Sequence, residues 1–295
     1  MELRTRKALK NEVIGIAFIL PALIPLLVFI IYPVIRSFYL SFFSYNMIKD
    51  MRFVGLRNYT KLFGSEQIWN TILRSLGYVV VIMPFTLIGG FLIATLLTSK
   101  TKSSVIFRTI YFAPHVTSMV AMSSVWLFIF HPQYGAANMI LGAVGIPPVR
   151  WLNEVSSAFW CICVVTIWRM IGYDTLVFIG GIQNISDEVI EAATIDGAST
   201  FQKLKSIIFP LVSPTSFMLL ILNTISIMKM FTVINMLTGG GPANSTENLV
   251  IMLHDYAFNR FQIGYASAIS NVLFLLILII HVFQRFLERK VQYDQ

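Results

Sequence analysis

Arg169 and Asp174 stand five residues apart in "IWRMIGYDTL", inside a run that is otherwise apolar. An ionised side chain at the centre of a membrane costs about 2.5–3.5 kcal/mol on insertion scales, and it usually marks a pathway or a buried pair. Five residues on an ideal helix are offset by ~140°, so the two are poorly placed to meet each other. Each is expected to pair with another helix, to line a wet cavity, or to join an ion pair at a subunit contact. A second polar set lies in a later apolar run. Asn223, Ser226, Lys229 and Met230 recur at three- and four-residue steps on one helical face, which should turn toward the bundle interior. Trp168, Tyr173 and Asn223, with Ser267, Ser270 and Asn271 further on, place hydrogen-bonding groups beside aromatic or apolar surface. Such side chains line a pathway or hold helices together.

Other chemistry is missing. No G-x-x-x-x-G-K-[ST], H-E-x-x-H or G-x-S-x-G occurs. "GGGPANST" lacks the lysine of a phosphate loop and reads as a turn, with glycines supplying positive φ and Pro242 stopping a helix. His115, His131, His254 and His281 are scattered over segment ends and loops. Cys161 and Cys163 are two apart, so on a helix they point to different faces and neither pair as a disulfide nor share a metal. The reading is a non-enzymatic chain with no metal site and no cofactor of its own.

The elements that must position these residues are apolar. Of 295 residues, 56% are hydrophobic and only 12% are charged. A soluble domain carries about 25% charged residues, so this is the composition of an integral membrane protein. The net charge of +8 reflects basic residues that flank apolar segments, which points to membrane topology and away from nucleic acid. Six stretches are long enough to span: about 13–35, 72–98, 107–130, 157–181, 211–237 and 264–287. Helices are the expected form, because hydrocarbon satisfies no backbone group. Pro21, Pro25 and Pro33 should kink or break the first. That first run is too long for the apolar core of a leader peptide and reads as an uncleaved span.

Arg4, Arg6, Lys7, Lys10, Lys100, Lys102, Arg108, Lys203, Lys205, Arg285, Arg289 and Lys290 fall on one side of these spans. Their excess is modest and places both termini in the cytoplasm. The expected organisation is a cytoplasmic N-terminal segment (1–12), one transmembrane domain (13–287) and a cytoplasmic tail (288–295). Outside segments fall at about 36–71, which should hold a short surface helix, 131–156 and 238–263.

Between the fourth and fifth spans lies a cytoplasmic loop, about 183–209, with the sequence "NISDEVIEAATIDGASTFQKLKSIIFP". It reads as two short helices. Ser186 can cap the first, with Asp187 and Glu188 in its first turn, and Gly197 should end it. Ser199 or Thr200 should start the second, which runs to the turn before Pro210. Alanines keep the first helix slim, suiting insertion into a cleft on a soluble partner. An amphipathic helix lying on the membrane is the other reading of the same residues.

This loop resembles the EAA loop of binding-protein-dependent ABC transporter permeases. Glu191, Ala192, Ala193, Asp196, Gly197, Ala198, Ile207 and Pro210 stand in that pattern, and Pro214 extends it. Leu204, where an aromatic is usual, and Phe209, where Leu is common, depart from it. "FVGLRNYTKLF" (53–63), "LTGGGPANSTENLV" (237–250) and "GYASAISNVLF" (264–274) are similar to the carbohydrate branch, near the maltose and glycerol-3-phosphate permeases.

The resemblance implies an all-α polytopic membrane protein with six transmembrane helices and a cytoplasmic two-helix coupling loop. The implied function is that of a permease subunit of an ATP-driven carbohydrate importer in a bacterial-type cell membrane, forming half of the pathway. The implied partners are a second homologous permease, two cytoplasmic ATPase subunits that bind ATP and Mg, and an extracytoplasmic sugar-binding protein. Glu191, Ala192, Ala193, Asp196, Gly197 and Ala198 would then couple to the ATPase. Sugar would pass Trp168, Arg169, Tyr173, Asp174, Asn223, Lys229 and Asn271. Two alternatives stay open at this point. One is a secondary transporter driven by an ion gradient through Arg169, Asp174 and Lys229. The other is a membrane scaffold or sensor, which would leave those charges unexplained.

Overall fold

A computed structural model describes residues 16, 18–48, 50–98 and 102–293. The expected segment 1–12, with Arg4, Arg6, Lys7 and Lys10, lies outside the described residues, as do Lys100 and the end of the tail, 294–295. Among the described residues four helices are long and apolar enough to span, and six if each of two bent pairs counts as one. The chain divides into two units.

The first unit comprises the residues up to Ser65 together with Leu253–Val272. Its spanning helix α1, Phe18–Leu40, is unbroken despite its prolines. The constraint is absorbed by a π-helical turn over Leu27–Ile31, where the Tyr32 N–H reaches back to the Leu27 carbonyl. The wider turn removes the place where Pro33 would have needed a donor and a clear carbonyl. Beyond α1 comes a small departure from the all-helical expectation: β1 (Phe43–Ser44) pairs antiparallel with β2 (Arg52–Phe53). The short helix α2, Arg57–Phe63, then lies within the expected surface segment. Polar side chains tie this region together. Asn58 donates to the carbonyls of Ser41 and Phe43, and Tyr59 donates to the Ser41 hydroxyl.

The second unit, Glu66–Met252 with the residues from Leu273 onward, holds the remaining long packing. Helix α3, Glu66–Leu97, packs along α7, Val155–Gln183. Helix α3 starts six residues before its expected apolar span, and α7 outruns its own by two residues at each end. Tyr78, Ile82, Ile162, Val165 and Ile227 belong to one buried core, which also takes in Cys161 and Cys163. The third expected span is two helices, α4 (Lys102–Val116) and α5 (Met119–Ile129), bent by 97°. Pro114 supplies no N–H to the ladder, and Ser118 is extended with φ −53° and ψ 126°, so the chain leaves the first axis there. The loop that follows carries α6, Ala136–Ala143. It is organised by Asn138, which donates to the Pro132 and Val149 carbonyls and accepts from the Val149 N–H and the Trp151 indole.

After α7 comes α8, Asp187–Ile195, then α9, Thr200–Leu211. The second loop helix therefore continues through Pro210, again over a π-helical turn, Leu204–Ile208. It meets α10, Ser213–Met228, at a 65° bend. The fifth span is thus also broken, and α11, Thr232–Leu237, follows a second interruption at residues 229–231.

The "TGGGPANST" segment makes the expected turn, with φ of +61° at Gly239 and +95° at Gly240. It is also packed into the unit. The buried Glu247 carboxylate accepts from Gln67 Nε2 (3.0 Å) and Thr71 Oγ1 (3.0 Å). The Tyr78 hydroxyl donates to the Thr246 carbonyl, and Ser75 Oγ accepts the Leu249 N–H. Removing the acceptor would strand two α3 donors, each costing about 1–3 kcal/mol. Glu247→Leu is therefore expected to lower the melting temperature of the detergent-purified protein, and Glu247→Gln, which keeps an acceptor, to lower it less. Helices α12 (Leu249–His254) and α13 (Ile263–Tyr293) follow.

Candidate functional site

The interruptions at residues 117–118 and 229–231 matter because hydrocarbon does not tolerate open backbone. Non-helical chain at membrane depth persists only where protein buries it or where it lines a wet cavity. In the second unit both breaks lie beside a cavity of about 480 Å³. His115 and Met119 reach it from either side of the α4–α5 bend. Thr166, Arg169 and Tyr173 reach it from α7, Asn223 and Ser226 from α10, Met230 and Phe231 from the second interruption, and Thr232 from the start of α11. The freed backbone there is satisfied locally. Asn248 Nδ2 donates to the Met230 carbonyl at 2.6 Å, and the Asn235 N–H to that of Phe231 at 2.8 Å. The volume lies in the range of small-molecule sites.

The predicted pathway residues separate into three groups. Arg169, Tyr173 and Asn223 line the cavity, with the His115 ring stacked on Tyr173 at 4.7 Å. Asp174 lies behind that wall, fully buried, and accepts a 2.7 Å hydrogen bond from Asn223 Nδ2. Arg169 and Asp174 do not pair; the one ion pair among the described residues joins Arg260 to Asp255.

The rest fall elsewhere. Lys229 is the exposed C-terminal cap of α10 and does not line the cavity, whereas Met230, also beyond the helix end, does. Trp168 is 42% exposed and packs edge-on against Trp126, away from the cavity lining. Asn271 belongs to the first unit, where it donates to the Tyr59 hydroxyl at 2.9 Å. Sequence reading missed His115, Met119 and Thr166. For His115 and Met119 the signal was Pro114, whose bend brings residues of one apparent span to the cavity wall; Thr166, on α7, carried none.

The loop has its own geometry. Ser186 occupies the N-cap position of α8 with extended backbone, but its side chain makes no capping bond. Ser199 does cap α9: its Oγ accepts from the Gln202 N–H while the Gln202 side chain accepts from the Ser199 N–H. The end of α8 is closed by two bonds, Ala198 N–H to Ala193 O (2.9 Å) and Gly197 N–H to Thr194 O (3.1 Å), with Gly197 left-handed at φ +75°. This paired closure requires a residue that tolerates positive φ. Glu191, Ala192, Asp196 and Gly197 are exposed, Ala198 is half-buried and Ala193 is buried. The Glu191 carboxylate makes no hydrogen bond or ion pair with the described residues. Lys203 ties the two loop helices by donating to Thr194 Oγ1 at 3.1 Å.

A bundle of broken spans around a cavity lined by both polar and apolar side chains, with a capped helical loop between two of them, defines a helical membrane transport component. Residues 63–293 match the family described as binding-protein-dependent transport system inner membrane component, and the chain belongs to that family. It is accordingly a permease subunit of an ABC importer and not a catalytic one. It is 35% identical to the trehalose/maltose transport system permease protein MalF of Thermococcus litoralis, over 90% of each chain. It is 29% identical to the sn-glycerol-3-phosphate transport system permease protein UgpA of Agrobacterium fabrum, over 96% of this chain and 97% of that one. Its fold matches a subunit of a bacterial ABC transporter involved in the import of the acidic polysaccharide alginate. The TM-score is 0.85 at 23% identity, over 97% of this chain and 99% of that one.

Proposed function

We propose that this chain is one of two permeases in an ATP-driven carbohydrate importer. It couples to a cytoplasmic ATPase through α8 and passes substrate along the cavity beside Arg169, Tyr173 and Asn223. A second homologous permease completes the pathway, two ATPase subunits bind ATP and Mg, and an extracytoplasmic binding protein delivers the sugar. Both termini lie in the cytoplasm.

The observation that carries the coupling role is the exposed α8 with a fixed end. Its Glu191 carboxylate is free to make a charge-assisted hydrogen bond to a basic group on a partner, while the Gly197 closure holds the direction in which force is transmitted. A docked helix contacted differently in two ATPase states biases the spans between inward- and outward-facing forms. The carbohydrate substrate is supported by the curated relatives named above.

The test is nucleotide-dependent crosslinking to the ATPase in membranes, after Cys161 and Cys163 are replaced by Ser. The cysteine belongs at exposed Ala192, since Ala193 is buried. A yield that changes between ATP and vanadate-trapped states is expected; no crosslink in any state, from an inserted and folded protein, would refute the coupling role.

Gly197→Val gives an independent check. A side chain in left-handed backbone costs about 1–2 kcal/mol, and no atom lies within 4 Å of the position, so the strain stays in the loop. Such a cost shifts a local equilibrium by roughly 5- to 30-fold. Uptake should fall by a similar factor while membrane insertion and melting temperature stay near wild type. Normal uptake would remove Gly197 from the coupling path.

A further inference from the structure

We infer that the cavity selects an anionic carbohydrate, one bearing a carboxylate or a phosphate ester, and that Arg169 is the residue that selects it. This rests on the cavity being the substrate passage.

The charge inventory of the site carries the inference. Arg169 and His115 supply all the ionisable side chains of the lining apart from the Tyr173 phenol, and no carboxylate shares it. The nearby acid, Asp174, is fully buried and held by Asn223. The single ion pair among the described residues lies at Arg260 and Asp255, so Arg169 is not neutralised. Arg169 Nε, a donor buried within the wall, is moreover without a hydrogen-bond partner among the described residues. A buried donor left unmade costs about 1–3 kcal/mol, and more when charged. An unneutralised guanidinium in a lining that holds no carboxylate points to a ligand that accepts hydrogen bonds and carries the missing negative charge.

Chemistry fits geometry here. A guanidinium presents a planar fork that matches a carboxylate or phosphate in two parallel bonds. The flat face of Tyr173 and the Asn223 amide leave surface for the neutral part of a sugar ring. The named relatives do not decide the point, since trehalose and maltose are neutral and sn-glycerol 3-phosphate is charged. A carboxylate contributed by the second permease is the competing way to neutralise Arg169, and it predicts the opposite preference.

The test reads occupancy directly in the complete importer without its binding protein, reconstituted in nanodiscs. The exposed lining residue Ser226 carries the reporter, as Ser226→Cys in a background where Cys161 and Cys163 are replaced by Ser, and maleimide labelling is timed. Trigalacturonate and glucose 6-phosphate are the acidic probes, and maltotriose and glucose the neutral ones. At least one acidic probe is expected to protect the introduced thiol at roughly tenfold or more lower concentration than its neutral counterpart. Arg169→Gln should abolish that preference and Arg169→Lys should keep it, which a merely structural arginine would not do. Equal or better protection by the neutral sugars would overturn the anionic assignment and leave the cavity as a sugar site. No protection by any probe would overturn both.

Discussion

Gly172→Ala is expected to lower the melting temperature of the purified protein sharply, while Gly180→Ala, eight residues along the same helix, leaves it unchanged or raises it. Both glycines lie within α7, where intrinsic preference favours alanine by about 1 kcal/mol. What differs is the space outside the helix. A methyl group built at Gly172 would overlap the carbonyl oxygen of Tyr111 on α4, a backbone atom that no side-chain rotation can clear. At Gly180 nothing lies within 4 Å. The Gly172 substitution must therefore push α4 away from α7, and overpacking of this kind costs about 1–3 kcal/mol, occasionally more. The consequence for transport is larger than the consequence for stability. Arg169 and Tyr173 flank Gly172 on α7, and His115 approaches them from α4, so the same displacement opens one wall of the cavity. Thermal unfolding in detergent measures the first effect and sugar uptake the second. Wild-type melting of Gly172→Ala would show that the close approach is not needed.

How much of this was legible in the sequence follows from which physical constraints are local. Span-length apolar runs gave the membrane class, because hydrocarbon thickness fixes helix length. The Glu191–Ala198 pattern located a helix ending at Gly197, since a left-handed closure favours a residue without Cβ. The outcome at the prolines was not legible. Pro33 and Pro210 are accommodated by π-helical turns and Pro114 accompanies a 97° bend, although each looks alike in an apolar run. The difference lies in how the released backbone groups are satisfied, and that depends on neighbours distant in sequence. Lys229 was misplaced for the same reason: a helical period drawn through it assumes that the helix continues, and α10 ends one residue earlier. Glu247 was overlooked because its partners, Gln67 and Thr71, are more than 170 residues away.

The Asp174–Asn223 pair should behave as one unit in a double-mutant cycle. Asp174 and Asn223 are both buried, on α7 and α10, and share a 2.7 Å hydrogen bond. Asn223→Leu leaves a buried carboxyl group without its donor, and Asp174→Leu leaves an amide without its acceptor. Each single change costs about 1–3 kcal/mol, with more for a charged group. The double change removes both orphans at once, so its cost should fall below the sum of the singles by roughly 0.5–3 kcal/mol. Unfolding of purified protein by denaturing detergent measures this, and additivity of the two costs would show that the bond carries no coupling. The pair also separates the ATP-driven reading from the ion-driven one. A proton carrier working through Asp174 needs a carboxyl group that gains and loses its proton in each cycle. Asp174→Asn cannot titrate, yet its amide oxygen still accepts from Asn223. In an ATP-driven permease this variant should keep most of its uptake, and an uncoupler should not diminish what remains. Complete loss of uptake in a folded Asp174→Asn protein would put a titrating carboxyl group back into the transport cycle.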